Sequence, residues 1–160
     1  MTEHQRLFLI QARTDFTVFE MFRKDPVLPA CHALHYLQMA TEMIGKAHAW
    51  KHGRPGNTHR AFVSFLRSLS TNRQAQKRLG FEGRNQNWEH LIRKSIPLAE
   101  QVEDLAPALS PDAPNPEYPW PRAAPLEYPF AIWHELQETA AGRQFLSLAG
   151  RLFAAADAFL

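Results

Sequence analysis

The chain has 160 residues, enough for one domain with its own core, and 45% of them are hydrophobic, which is typical of a folded protein and excludes a disordered one. Its 18 Lys and Arg nearly balance its 16 Asp and Glu, so the net charge of +2 does not by itself require a nucleic-acid partner. The single cysteine, Cys31, excludes an internal disulfide and is typical of a reducing compartment. No apolar run reaches the roughly 20 residues of a membrane span. The N-terminal segment is too polar for a signal peptide. We therefore expect one soluble, cytoplasmic domain over residues 1–160, with no membrane partner.

The first two helices are predicted from apolar residues that recur at helical spacing. The first covers about residues 3–23, with Thr2 as its N-cap, and Asp25 and Pro26 end it. The second begins after Pro29, because proline suits the first turn of a helix. The apolar residues of the second helix cover more than one side, which indicates a helix packed centrally in a bundle.

A connection rich in turn-forming residues follows the second helix and contains Gly53, Pro55, Gly56 and Asn57. Thr58 can then cap a third helix, whose apolar face ends at Leu69. Because the connection is short, we expect the two helices of residues 30–69 to form an antiparallel hairpin at the centre of a bundle.

Further helices are predicted after this hairpin. A short basic helix is expected within residues 70–82, and another helix begins near Asn85, where Pro97 must produce a kink or a restart. Residues 130–160 form a final helix or a pair of helices. The sequence carries no strand pattern, so the predicted fold is all-α, an up-and-down bundle of four to six helices.

Most of the 12 prolines lie in residues 106–129. Tyr118 and Trp120 in this segment are large and apolar, so we predict an ordered loop that they anchor to the bundle. The same aromatic side chains could stack on a nucleobase or bind a partner protein.

Residues 35–66 resemble the second and third helices of HEPN domains. In that family an apolar helix carries a Glu and then a Lys-Ala, followed by a Gly/Pro turn and a Thr-His that opens the next helix. The matching positions here are Glu42, Lys46, Ala47, Gly53, Pro55, Thr58 and His59. Two further stretches resemble the first helix and the Arg-Tyr-Pro loop of the family: Ala12, Arg13 and Asp15, and Asn115, Glu117, Tyr118 and Pro119.

The resemblance implies a HEPN-like up-and-down bundle that is often dimeric. Many members of the family pair with a nucleotidyltransferase in toxin–antitoxin systems, and many others are RNases. For this chain it therefore implies a homodimer, a nucleotidyltransferase partner or RNA, in a defence or toxin–antitoxin setting. Two features depart from the family: Glu117 stands where an Arg is usual, and the stretch 70–113 is longer than in minimal members.

RNase members of the family use an Arg, usually followed by Asn, and a His a few residues later. Arg84, Asn85 and His90 fit that pattern and are the candidate catalytic residues. A histidine can move the proton of the ribose 2′-hydroxyl while an arginine holds the phosphate, and this chemistry needs no metal or cofactor. Four further cations could hold flanking phosphates: Arg73, Lys77, Arg78 and Arg93.

Two facts favour binding over cleavage. An Arg and a His at this spacing arise easily by chance, and six residues place them about 120° apart on a helix unless Arg84 precedes the first turn. The pattern also lies earlier in the chain than it does in the family. We therefore predict a binding or partner protein rather than an active RNase.

Two alternatives remain open. The first is a non-enzymatic interaction module that presents Tyr118 and Trp120 to another protein. The second is a metal-binding bundle similar to DinB-like hydrolases, because histidines three residues apart on a helix can join a ligand from another helix. Its ligands would come from His32, His35 and Glu42 together with His134 or His90. The ordinary explanation of these histidines is that they are scattered through a polar chain and bind no metal.

Overall fold

A computed structural model describes residues 1–51, 59–106, 127–158 and 160, and all regular structure in these ranges is helical. The prediction of an all-α fold is confirmed for this part of the chain. It contains seven α-helices instead of four to six, followed by a 3-10 turn over Ala156–Ala158. The helices are α1 (Glu3–Phe22), α2 (Ala30–Lys51), α3 (Ala61–Leu69), α4 (Arg73–Arg78), α5 (Asn85–Glu103), α6 (Glu127–Glu138) and α7 (Ala140–Ala155).

Helix α1 begins with the predicted cap. The Thr2 hydroxyl accepts a hydrogen bond from the backbone N–H of Gln5, and the Gln5 side chain accepts one from the backbone N–H of Thr2. This reciprocal pair satisfies two of the donors that a helix N-terminus leaves free. The Gln5 amide also donates to the carbonyl of Ala47 at 3.2 Å, which connects the start of α1 to α2.

Helices α1 and α2 form the antiparallel hairpin of the fold. Near one end Gln5 contacts Ala47, and at the other end the rings of Phe22 and Tyr36 meet edge to face with centroids 5.3 Å apart. Later residues of α1 contact earlier residues of α2, so the two helices run in opposite directions. The chain segment between them is only seven residues long, which suits antiparallel neighbours.

Helices α2 and α3 pack closely but run in the same general direction. A methyl group built on Gly45 would lie 2.5 Å from the carbonyl carbon of Ala61, so the two backbones are nearly in contact. Three contacts follow in the same order along both helices: Glu42 with His59, Gly45 with Ala61, and His48 with Phe65. The predicted antiparallel hairpin over residues 30–69, and with it a simple up-and-down path, is wrong.

The physical reason lies in the reach of the connection. Returning from Lys51 to the level of Glu42 requires about 13 Å, at 1.5 Å per helical residue. The steps from Lys51 to His59 can cover about 25 Å of extended chain. The number of residues therefore permits either direction. The turn residues behind the prediction, and the cap residue Thr58, lie outside the described residues.

The antiparallel neighbour of α3 is α5. The carboxylate of Glu103 accepts a hydrogen bond from the backbone N–H of Val63 at 2.9 Å, and at the other end the Trp88 indole donates to the carbonyl of Leu69 at 2.8 Å. Arg60, the N-cap of α3, makes no side-chain cap. Glu103 therefore caps α3 from another helix, where the sequence predicted a cap on the same segment.

Helix α5 begins at Asn85, as predicted, and continues to Glu103 with Pro97 inside it. The predicted alternative of a restart at this proline is therefore wrong. Pro97 removes one backbone donor without ending the helix, because α5 is held on both sides of it by buried residues such as Ile92 and Val102.

The C-terminal segment forms two helices, α6 and α7, and α6 begins at Glu127 instead of the predicted residue 130. Residues 127–129 belong to α6, so the predicted loop over 106–129 ends at least three residues sooner. Pro129 does not prevent this, because proline is compatible with the first turn of a helix. Residues 107–126 lie outside the described chain. Thr139 separates α6 from α7 and caps α7 through a bond from the N–H of Gly142.

Helix α2 is central, as predicted, because it contacts α1, α3, α5 and α6. The core around it is built from large side chains that are less than 2% exposed: Phe19, Leu34, Leu37, Ile44, Phe62, Phe65, Trp88 and Phe145. In the described part of the chain, none of the helices combines the length and the hydropathy that a bilayer span requires.

Candidate functional site

A tight turn between α4 and α5 places an aromatic ring beside the start of α5. Gly80 has a φ of 76°, its N–H donates to the carbonyl of Lys77, and the N–H of Phe81 donates to that of Gln76. This is the helix-ending pattern that requires a left-handed residue, for which glycine is the cheapest choice. The turn packs Phe81 against Trp88, with ring centroids 5.3 Å apart.

A groove of about 580 Å³ lies between α5 and α7, with Phe81 at its edge. Its polar lining comes from both helices, and Leu91 and Leu148 supply apolar surface. None of the described residues that line it is Asp or Glu. The lining residues are Phe81, Asn87, His90, Leu91, Ala140, Arg143, Gln144, Ser147, Leu148 and Arg151.

Two arginines of α7 give the groove its positive charge. Arg143 is anchored at the C-terminus of α6, where its guanidinium donates to the carbonyl of Glu138 at 3.0 Å. Arg151 lies over the Phe81 ring, 5.2 Å from its centroid. In the described chain neither arginine forms an ion pair with a carboxylate, so both keep their charge available to a ligand.

The predicted catalytic residues lie at different places around the start of α5. Arg84 precedes the helix as its N-cap, donates to the carbonyl of Gly80, and lies 5.4 Å from the Phe81 centroid. Asn85 accepts a bond from the Gln76 amide at 2.7 Å. His90 is exposed one turn further on and lines the groove. Of the three, only His90 lies in the groove.

The four predicted phosphate-binding cations are all exposed. Arg73 lines a cavity of about 230 Å³ together with Asn85. Arg93 lines a neighbouring one of about 470 Å³, where a guanidinium nitrogen lies 3.3 Å from Nδ1 of His90. Lys77 pairs with Glu82 at 3.3 Å. Arg93 is thus the one that lies beside His90.

The histidines of the metal-binding alternative are not assembled into a site. Among residues 1–51, 59–106, 127–158 and 160, no three His, Cys, Asp or Glu side chains are placed to hold a metal ion. His32 and His134 are exposed, and His35 packs against the ring of Tyr36 with centroids 5.4 Å apart. Glu42 is bonded elsewhere.

Glu42 is the centre of a buried polar cluster between α2 and α3. Its carboxylate accepts bonds from Lys46 at 2.5 Å, from Gln38 at 2.7 Å and from Nδ1 of His59 at 2.9 Å. Burial alone would raise the pKa of Glu42, but the bonds from Lys46, His59 and Gln38 outweigh it and hold that pKa below its usual value. His59, which lies two residues before α3, therefore connects the start of that helix to α2.

Two other residues quoted for the family resemblance, Arg13 and Asp15, lie on α1. Arg13 donates to the carbonyl of Phe153 at 2.8 Å and pairs with Asp157 at 2.7 Å, which ties α1 to the end of α7. Asp15 is buried and accepts a bond from Gln11. Arg13 thus joins two elements, whereas the Asp15 bond lies within α1.

Sequence reasoning missed Arg143 and Arg151. They lie more than 50 residues after His90 and reach it only because α7 packs beside α5. Their spacing of eight residues places them about 80° apart on one helix, and this spacing was the signal in the sequence that could have indicated a shared cationic face. Tyr118 and Trp120, the predicted partner-binding residues, lie outside the described residues.

No model of a known protein family, no curated protein and no solved structure matches this chain. What the described residues define is therefore a class: an all-α fold with a cationic groove between two helices, in which none of the described lining residues is a carboxylate. Its function is argued from these side chains.

Proposed function

We propose that this protein binds RNA, through its phosphates, in the groove between α5 and α7, and that it binds without cleaving. The observation that carries the proposal is the convergence of His90, Arg143 and Arg151 on a groove whose described lining has no carboxylate. A site with two guanidinium groups and no carboxylate among its described lining residues favours a phosphate over a cation, because a guanidinium can give two parallel hydrogen bonds to phosphate oxygens.

The remaining lining suits a nucleotide. Asn87 and Gln144 offer amide donors and acceptors to a sugar or a base edge, and Leu91 and Leu148 offer apolar surface to a base or a ribose face. A volume of about 580 Å³ lies in the range of small-ligand sites, so one or two nucleotides of a strand can be held at a time.

Binding without cleavage is supported by the position of Arg84, the arginine of the predicted catalytic set. Its guanidinium donates to the Gly80 carbonyl and lies over the face of Phe81, and it does not line the groove with His90. Because Arg143 and Arg151 can also hold a phosphate beside His90, a cleavage assay is part of the test below.

The HEPN-like assignment, with a homodimer, a nucleotidyltransferase partner and a toxin–antitoxin setting, is part of the same proposal and derives from the sequence resemblance. It is supported by the contact between three of the matching residues, Glu42, Lys46 and His59, in one cluster. The common direction of α2 and α3 departs from the hairpin that the resemblance implies.

Fluorescence polarisation with a short labelled single-stranded RNA tests the proposal. Replacing Arg151 with Gln removes one groove charge, and we expect binding to weaken about tenfold, the value of one charge-assisted hydrogen bond. The slope of affinity against salt should fall by about one. The matched control is Lys94→Gln, which removes an exposed cation from α5 outside the groove lining.

Three outcomes contradict the proposal. The wild-type protein fails to bind RNA, or Lys94→Gln weakens binding as much as Arg151→Gln does. The third outcome is strand cleavage of the same RNA in a gel assay, abolished by His90→Ala without a change in the thermal melt. That result would make the protein an RNase with His90 as its catalytic base.

A further inference from the structure

One ring nitrogen of His90 is held by a guanidinium. Arg93 lies three residues further along α5, and its Nη2 lies 3.3 Å from Nδ1 of His90. A guanidinium carries only N–H donors, offers no acceptor and keeps its charge at every pH near neutrality. Arg93 must therefore be the donor in this bond and Nδ1 the acceptor, so Nδ1 carries no proton.

This bond sets the tautomer of His90. A neutral imidazole has a single N–H, so the proton lies on Nε2 when Nδ1 accepts a bond. The two ring nitrogens point away from each other, so the bond at Nδ1 determines what the ring offers on its other side. Among the described residues, none forms a hydrogen bond with Nε2. The Nε2 N–H is thus left as a donor for a ligand.

The position of the ring shows where this donor lies. His90 lines the groove between α5 and α7 and also a second hollow of about 470 Å³ on α5, which we call the outer cavity. Arg93 lines the outer cavity and not the groove, so the Nδ1 edge of the ring belongs to the outer side. The Nε2 edge therefore belongs to the groove, whose lining includes Arg143 and Arg151.

Glu89 favours a role for Arg93 that acts through His90. Glu89 also lines the outer cavity, and its carboxylate disfavours a second phosphate there. It precedes Arg93 by four residues, a spacing at which Glu and Arg ordinarily pair on a helix. In the part of the chain that the structure describes, Arg93 nevertheless forms no ion pair and donates to His90.

We infer that Arg93 is a positioning residue, which fixes His90 as a hydrogen-bond donor to a non-bridging phosphate oxygen of RNA. The inference rests on the proposed binding of RNA in the groove. Ionised phosphate oxygens only accept hydrogen bonds, and they match Arg143, Arg151 and the Nε2 N–H, which only donate. To remove the proton of a 2′-hydroxyl, the ring would need a free lone pair, and its only one is occupied by Arg93.

The tautomer can be measured on the free protein. Long-range ¹H–¹⁵N correlation spectra at about pH 8, where neutral imidazole predominates, distinguish the protonated ring nitrogen from the other one. His90→Gln identifies the signals of His90. We expect the wild-type proton on Nε2, and a larger fraction on Nδ1 in Arg93→Met. The matched control is Lys94→Met, which removes an exposed cation from the next position and should leave the tautomer unchanged.

Two substitutions of His90 test the donor with a short labelled single-stranded RNA in fluorescence polarisation. A Gln amide can place its N–H where Nε2 lies, whereas the shorter Asn amide reaches only the place of Nδ1. We expect His90→Asn to weaken binding about tenfold, the value of one hydrogen bond to a charged group, and His90→Gln to keep most of the affinity. The same ratio is expected with 2′-O-methyl RNA, because the contact is to phosphate and not to the 2′-hydroxyl.

A double-mutant cycle tests whether Arg93 acts through His90. Arg93→Met should weaken RNA binding about threefold more than Lys94→Met, because a ring without its partner offers the Nε2 N–H only part of the time and without polarisation by the guanidinium. In a His90→Asn background, the two Met substitutions should have equal effects, since the ring through which Arg93 acts is gone.

The inference is overturned if the wild-type proton lies on Nδ1, or if Arg93→Met leaves the tautomer ratio unchanged. Equal losses of affinity in His90→Asn and His90→Gln, or a full effect of Arg93→Met in the His90→Asn background, also overturn it. All these results leave the proposed binding of RNA standing. A wild-type protein that binds no RNA refutes the proposed function and the phosphate contact together, whichever tautomer the spectra show.

Discussion

Replacing Gly45 with Ala tests the close packing of α2 against α3. A methyl at this position would lie 2.5 Å from the carbonyl carbon of Ala61 and 2.6 Å from the backbone nitrogen of Phe62, where ordinary contacts begin near 3.4 Å. Both neighbours are backbone atoms, so no side chain can rotate away. The helices must separate by about 1 Å, at an overpacking cost of about 3 kcal/mol.

Alanine returns part of that cost, because it is about 1 kcal/mol better than glycine inside a helix. The net loss is about 2 kcal/mol, which lowers the melting temperature of a chain of this size by about 4–8 °C. Thermal melts followed by circular dichroism at 222 nm, with urea midpoints at 25 °C, measure both quantities.

Gly150 provides the matched control. It also lies inside a helix, α7, but a methyl there would meet only the Phe16 ring, at 3.6 Å, an ordinary contact. Gly150→Ala should therefore raise the melting temperature by about 2–4 °C through helix propensity alone. A Gly45→Ala protein that melts at or above the wild-type temperature would refute the close contact of α2 with α3.

Three substitutions in the core make further predictions. Glu42→Gln should lower the free energy of unfolding by about 3 kcal/mol at pH 7, measured by urea unfolding, since it breaks a buried ion pair. Because folding lowers the pKa of Glu42, the stability difference between wild type and variant should shrink as the pH falls below about 4. Burial raises the pKa of Glu103, despite its backbone bond from Val63. The folded protein therefore loses stability as the pH rises from about 4.3, the pKa of an unfolded Glu, through the pKa of the folded state. Glu103→Gln should remove this pH-dependent loss of stability, measured as urea midpoints over a pH series. Trp88→Phe should cost about 2 kcal/mol in the same assay, because the Leu69 carbonyl loses its donor; an unchanged midpoint would contradict that bond.

The helix boundaries could be predicted because local chemistry sets them. Thr2 and Gln5 form a capping box that the sequence displays, and Pro29 and Asn85 stand next to real helix starts. Local signals carry no information on the direction in which one helix packs against another. Gly45 illustrates this limit: in the sequence it is an unremarkable helix residue, and in the fold it is where two backbones meet.

The candidate site was predictable only in part, for the same reason. His90 could be selected from its local pattern, but the groove exists because α7 lies beside α5, and Arg143 and Arg151 enter it through that packing. Arg84 was selected with His90 by sequence proximity, although the turn at Gly80 and Gly83 directs it to the Phe81 ring. Proximity in sequence predicted neighbours, and tertiary packing decided which of them share a surface.

The cap that Glu103 provides to α3 has a consequence for folding during synthesis. The carboxylate follows Val63 by 40 residues, so a ribosome that adds 5–20 residues per second produces it about 2–8 s later. A nine-residue helix does not persist alone for that time in water. The pair α1–α2 is complete much earlier, and α3 acquires its stable start only when the end of α5 arrives.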